Sequence, residues 1–204
     1  YLSTEYSDGI MRNKIIGGHT RRNIYLSNLT LSFLASIFMT FMGLLGGLVG
    51  IPTFGVWKIN GFSMFCRILI LILFLLAFCA IFTFISMLLP NKSVSAVITI
   101  LTFFGLLLMA SMMMNKLDQP AMISDTILTV DGIQFSDPMP NPKYVEGKIR
   151  DILDFAIDLL PSGQGARFSI NEVNYPVRMM LSSAFISVFV TALGMFFFEK
   201  KDLK

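Results

Sequence analysis

Four long apolar runs, separated by short polar punctuation, account for most of this chain: roughly Ile24 to Ile51, Phe62 to Leu89, Val94 to Met114 and Val177 to Phe198. Each has the length of about 20 residues that a helix needs to cross a bilayer. The second is the purest, reading Ile68-Leu69-Ile70-Leu71-Ile72-Leu73-Phe74-Leu75-Leu76 without a break. Pro90-Asn91-Lys92 stops it and predicts a tight turn, so the second and third runs form an antiparallel pair. A fifth pattern is different. Val145, Ile149, Ile152, Leu153, Ala156, Leu159 and Leu160 repeat at helical spacing and make one apolar stripe. Glu146, Lys148, Arg150, Asp151, Asp154 and Asp158 lie off that stripe. This predicts an amphipathic helix that either lies in the membrane surface or caps the ends of the spans. Asp154 and Asp158 share a polar face and are expected to be solvated, with no neighbouring acid, His or ligand spacing to make them catalytic. The helix is expected to end at Pro161, with Ser162-Gly163-Gln164-Gly165 as a turn. Ile127 to Phe135 reads as a β-hairpin closed by Asp131-Gly132, and Pro138, Pro140 and Pro142 impose an extended linker behind it.

The expected fold class is therefore an all-α polytopic membrane protein. Four transmembrane helices are accompanied by an external segment that contains a short hairpin and an amphipathic helix. Residues 1–23 precede the spans, 24–115 hold three of them, 116–176 form the external segment, and 177–204 carry the last span and a basic tail. Composition agrees, since 54% of residues are apolar and only 14% are charged, where a soluble domain carries about a quarter. Lys and Arg in short flanks set orientation. Arg12, Lys14, Arg21, Arg22, Lys92, Lys200, Lys201 and Lys204 all fall on one side of four alternating spans, which makes that side, with both ends of the chain, cytoplasmic. Trp57 beside Lys58 fits an anchor at the opposite interface.

Several kinds of chemistry are missing. A net charge of +3 without a basic-aromatic patch argues against nucleic acid. Cys66 and Cys79 sit on one helix about 20 Å apart and cannot bridge. His19 has no second ligand at metal spacing, no Ser-His-acid set can be assembled, and no nucleotide-binding signature occurs. No cofactor is expected, and the chain reads as a non-enzyme whose energy comes from elsewhere. Charges are nearly absent from the span centres. Arg67 and Arg178 lie near span ends and are expected to snorkel, so an ion-coupled pump is disfavoured. In the first span Gly43, Gly46, Gly47 and Gly50 give two overlapping Gly-x-x-x-Gly spacings, which let helices approach closely in lipid. Their partner is either a helix of the same subunit or a second subunit. The chain begins at Tyr1 and shows no signal peptide, and a preceding N-terminal part is expected.

Four stretches together resemble the membrane subunit of type-2 ABC exporters. Glu5-Tyr6-Ser7-Asp8-Gly9, continued by Arg12-Asn13, is similar to the coupling segment of that family, with Ile10 where Thr is common. Thr20-Arg21-Arg22-Asn23-Ile24-Tyr25-Leu26-Ser27 looks like the start of the third of the family's six helices, with Asn28 where Lys is common. Leu160-Pro161-Ser162-Gly163-Gln164 is similar to a Leu-Pro-x-Gly-Gln stretch between the last two helices, and Phe198 to Lys204 to the basic C-terminus. The resemblance implies two further helices before Tyr1, a second permease subunit in a homo- or heterodimer, a separate ABC ATPase as partner, and a bacterial cytoplasmic membrane as location. It implies ATPase coupling through Glu5, Asp8, Gly9, Ile10, Arg12 and Asn13. An external gate is expected at Ile152, Leu159, Pro161, Gly163 and Gln164, with Ile152 and Leu159 holding the stripe against the spans. Family substrates include peptides, lantibiotics, lipids and polysaccharides, with antimicrobial-peptide export the favoured expectation. The rival reading is a membrane sensor or assembly protein that reads the outside through its external segment.

Overall fold

The structure is a computed structural model and describes residues 4–5, 9–54, 60–124, 126–129 and 132–201. A short helix, α1 (Ile10–Ile16), precedes three long ones: α2 (Arg21–Phe54), α3 (Gly61–Leu88) and α4 (Lys92–Leu117). Two two-stranded ribbons follow, built from β1 (Met122–Ile123), β2 (Thr126–Thr129), β3 (Gly132–Phe135) and β4 (Met139–Pro140). The chain closes with α5 (Gly147–Leu159), α6 (Pro161–Ser169) and α7 (Pro176–Lys200). Four helices, α2, α3, α4 and α7, are long and apolar enough to cross a membrane. The protein is a multi-pass membrane protein.

Local chemistry starts each helix where the sequence allows. The Thr20 hydroxyl accepts from the Asn23 backbone N–H ahead of α2. Asn60 accepts from Phe62 N–H at the start of α3, and Asn91 accepts from Ser93 and Val94 N–H at the start of α4. Such side-chain caps satisfy donors that the first helical turn leaves open. Pro161 and Pro176 open α6 and α7 at the one helical position where a missing N–H costs nothing.

The closest packing is between α3 and α7. Ala77, Ala80 and Thr83 are buried on one face of α3, and Ser183, Ser187 and Gly194 on one face of α7. Small residues let backbones approach, and in lipid that approach replaces the missing hydrophobic drive. Val190 of α7 packs on Leu29, Cys79 and Ala80. Tyr25 fills the space over Gly194, where an added Cβ would come within 2.0 Å of its hydroxyl. Call the end that holds α1 and Lys201 proximal, and the end that holds the ribbons and α5–α6 distal. The spans run alternately between them.

Three expectations change. Met139–Pro140 is extended as expected, but it is more than a linker, because it pairs with β1, Met122 opposite Pro140. The predicted β-hairpin is present, but Thr129 pairs with Gly132. Gly132 thus sits in the strand, and the two residues between, Val130 and Asp131, lie outside the described ones, as do Trp57 and Lys58. Finally, Ser162-Gly163-Gln164-Gly165 is not a turn. Leu160 alone is extended, and Pro161 starts a second helix antiparallel to the first. Proline fixes φ near the helical value and suits a first turn, so it ends one helix and begins the next.

Candidate functional site

Two places on the molecule concentrate polar groups, one at each end.

At the proximal end, Gly9 stands at φ 70 just before α1, a backbone region that favours glycine. Met11 is buried against Ile24, Tyr25, Met87 and Phe198, which fixes α1 on the bundle. Its other face is open, with Ile10 39% exposed and Arg12 and Asn13 exposed. Glu5 is buried and its carboxylate accepts from Lys14 Nζ at 2.7 Å. Asp8 lies outside the described residues. The basic residues here are used on helix ends. Arg21 donates to the carbonyls of Glu199 at 2.7 Å and Lys201 at 2.5 Å, and Arg22 pairs with the Glu199 carboxylate. Lys201 Nζ donates to Leu88 O at 2.9 Å. Burial pushes its ammonium down to about 8, so it stays mostly charged at neutral pH and complements the negative end of α3.

At the distal end, α5 and α6 fold back on each other and dock on α7. Gly163 is required at the crossing, since a Cβ there would lie 2.2 Å from the Ile157 carbonyl oxygen. Gln164 is fully buried and spends its whole amide. Its Nε2 donates to Asp158 O at 2.7 Å and Met179 O at 3.0 Å, and its Oε1 accepts from Ser183 Oγ at 2.8 Å. Ser162 Oγ donates to Leu106 O at 2.8 Å and ties the start of α6 to α4. Asn141 joins the ribbons to the end of α4 through the Pro120 carbonyl at 3.0 Å.

Asp154 and Asp158 are not on a solvated face. Asp158 is fully buried, and both carboxylates face two arginines. Arg178 reaches Asp154 Oδ2 at 2.6 Å and Asp158 Oδ2 through Nε at 2.5 Å. Arg167, only 3% exposed, pairs with Asp154 and stands 3.1 Å from Asp158 Oδ1. Arg178 therefore does not snorkel but turns inward, with Tyr175 stacked 4.2 Å from its guanidinium. Burial pushes Asp158 up, against the opposing pull of the arginines. Burial also acts on Asp154, but hydrogen bonds from Arg167 and Arg178 outweigh it and hold that carboxyl below its usual range. Two acids and two arginines make a formally neutral cluster. Removing one member of such a buried set costs about 3–5 kcal/mol, because it strands the others.

The predicted gate residues thus divide. Pro161, Gly163 and Gln164 are buried in the α5–α6 crossing, while Leu159 is half-buried and Ile152 is 65% exposed. The most buried residues of α5 are Ile157 and Asp158, while the apolar stripe is divided: Ile149 and Ile152 are exposed, and Leu153, Ala156 and Leu159 are half-buried. Sequence periodicity missed Arg167, Arg178, Asn141 and Ser183. Two aspartates one turn apart, followed by two arginines, were the available signal. Gly43, Gly46 and Gly47 are exposed, and a Cβ at Gly43 or Gly46 meets nothing within 4 Å. Gly43 and Gly46 therefore pack against no other helix among the described residues.

Searches of known proteins add no relative: no family model matches the sequence, nor does any curated protein or solved structure.

Proposed function

We propose that the chain is the membrane-spanning subunit of an ATP-driven ABC exporter, working with a separate ATPase and moving a peptide, lipid or other amphipathic substrate. The observation that carries the reading is α1. It is a short helix fixed by one buried residue, Met11, directly ahead of the first span. It offers Ile10, Arg12 and Asn13 outward on the end where basic residues gather. An apolar knob framed by charges is what a partner needs to grip a helix in one register. On the positive-inside rule this proximal end is cytoplasmic, in a bacterial inner membrane, and both ends of the chain face the ATPase side. The unpacked glycines of α2 suit contact with a second permease subunit. The distal hairpin, latched by Gln164 and the arginine–aspartate cluster, serves as the outer gate.

Affinity capture of the intact protein from its native membrane, followed by mass spectrometry, is expected to recover a chain with nucleotide-binding signatures. Capture with the double variant Ile10→Asp, Arg12→Glu is expected to lose that chain while membrane insertion persists. Recovery of a histidine kinase or secretion component in place of an ATPase would favour the sensor or assembly reading. Equal recovery of the ATPase by the variant would remove α1 from the contact.

A further inference from the structure

The turn that joins α5 to α6 is closed in a way that water would make unnecessary. Pro161, Ser162, Gly163 and Gln164 are all buried. Leu160 N–H donates to Ala156 O at 3.1 Å, Gln164 N–H donates to Leu160 O at 3.0 Å, and the Gln164 side chain takes the Asp158 carbonyl. A turn at the surface leaves such helix-end carbonyls to solvent. Irregular backbone at membrane depth has to satisfy them within the protein.

Anchors along α4 and α7 give the turn its depth. Arg150, in the first turn of α5, donates to Leu117 O at the distal end of α4. Ser162, just past the turn, donates to Leu106 O, roughly 16 Å further down α4. Gln164 reaches Ser183, about 10 Å into α7. Both helices are long and apolar enough to cross the membrane. With its 26 residues, α4 is ~39 Å long and overhangs a ~30 Å hydrocarbon core by only a few residues at each end.

The two sides of α5 suit a descent beside α4. Asp154 and Asp158 turn toward Arg167 and Arg178, so these charges form a neutral cluster inside the protein and do not face lipid. Asp151 lines the same charged side, with Arg150 and Asp154. Ile149, Ile152 and Phe155 point elsewhere and are 64%, 65% and 50% exposed. Phe155 and Leu159 line one apolar groove with Val177, Leu181 and Phe185, which joins this side of α5 to the outward side of α7. Lys148 is exposed near the start of α5, at the height of the α4 end, from which its chain can reach the head groups.

We propose that α5 and α6 form a re-entrant hairpin. It enters the bilayer on the distal side, turns at Leu160 and Pro161 within the hydrocarbon core, and leaves on the side it entered. Ile149, Ile152 and Phe155 then lie against the acyl chains of the distal leaflet, continuous with the lipid-facing side of α7. This placement needs only the spans and is independent of the ATPase reading.

The test uses the full chain in lipid nanodiscs, with Trp57→Phe removing its one tryptophan. In that background Ile149→Trp, Ile152→Trp and Phe155→Trp report on α5, Phe185→Trp on the outward side of α7, and Lys143→Trp on exposed chain beside the ribbons. Each replaces an exposed residue, and a thermal melt checks the fold. Phe155→Trp exchanges one aromatic ring for another and keeps the test open should an isoleucine variant not fold. Ile152→Trp and Phe155→Trp are expected to lose emission to brominated lipid as Phe185→Trp does, to emit further to the blue, and to resist iodide. Lys143→Trp is expected to do the reverse. Bromine near the chain end should quench Phe155→Trp more than Ile149→Trp, since the two stand about 9 Å apart along the helix. Iodide quenching of the α5 variants to the level of Lys143→Trp would put α5 in water and overturn the proposal. Equal depth for Ile149→Trp and Phe155→Trp would lay α5 flat in the interface and overturn the re-entrant turn. No ATPase enters this assay, so its outcome and that of the capture experiment are independent.

Discussion

Asp154 and Asp158 carry opposite proton preferences on one helix turn, although both face the same two arginines. Asp158 is wholly buried, so desolvation dominates and raises its pKa. It contributes stability below its unfolded value, and that share is lost as pH rises through the raised folded value. Asp154 is less deeply placed, and its bonds to Arg167 and Arg178 outweigh burial. A carboxyl held low contributes stability above its unfolded value, near 3.8, and loses it as pH falls through the lower folded value. The expected outcome is an acid limb in a detergent melting series, with the midpoint falling below that pH. Asp154→Asn should flatten this limb while lowering the midpoint at neutral pH. Circular dichroism melts across the acid range check it, and an unchanged limb would place the acid sensitivity elsewhere.

The α5–α6 hairpin works as a unit because one extended residue, Leu160, joins two helices that cross at a glycine. Close approach is needed at Gly163 and not at Gly165, where an added Cβ meets nothing within 4 Å. Two alanine substitutions two residues apart should therefore differ in sign. Gly163→Ala must push against the Ile157 backbone and is expected to cost about 1–3 kcal/mol, the range for overpacking. Gly165→Ala is expected to be neutral or stabilising by up to about 1 kcal/mol, since alanine is the better helix former. Denaturation midpoints in detergent measure both, and equal effects would contradict the crossing. The same hairpin is held to α7 by Gln164, whose three hydrogen bonds are made out of water, where leaving any unmade is costly. Opening of the proposed outer gate would require those bonds to find other partners.

Across the whole molecule, charge and packing divide the bundle into unlike ends. The proximal end gathers Arg12, Arg21, Arg22, Lys92 and Lys201, two of which, Arg21 and Lys201, donate to helix-terminal carbonyls. The distal end balances arginines with aspartates. Single cysteines, in a background with Cys66 and Cys79 replaced, test the orientation this implies. Lys148 and Lys92 are both exposed, at opposite ends. Lys148→Cys is expected to react with an impermeant thiol reagent added outside intact cells, and Lys92→Cys only after permeabilisation. The reverse pattern would invert the topology.

Sequence alone determined the four spans, their antiparallel order and the amphipathic character of α5, because crossing a bilayer demands length and apolarity that can be counted along the chain. It also marked Leu160 to Gln164 as a special segment. Tertiary structure decided which face of α5 turns inward. Ile149 and Ile152 read as buried positions in water, but beside a membrane this part of the stripe can look outward while the bundle takes the charges. That reversal depends on Arg167 and Arg178, which stand 9 and 20 residues beyond Asp158 and meet it only because Pro161 folds α6 back and α7 returns alongside. Periodicity records which residues share a face of one helix. Which partner waits on the other side is set by where the chain returns.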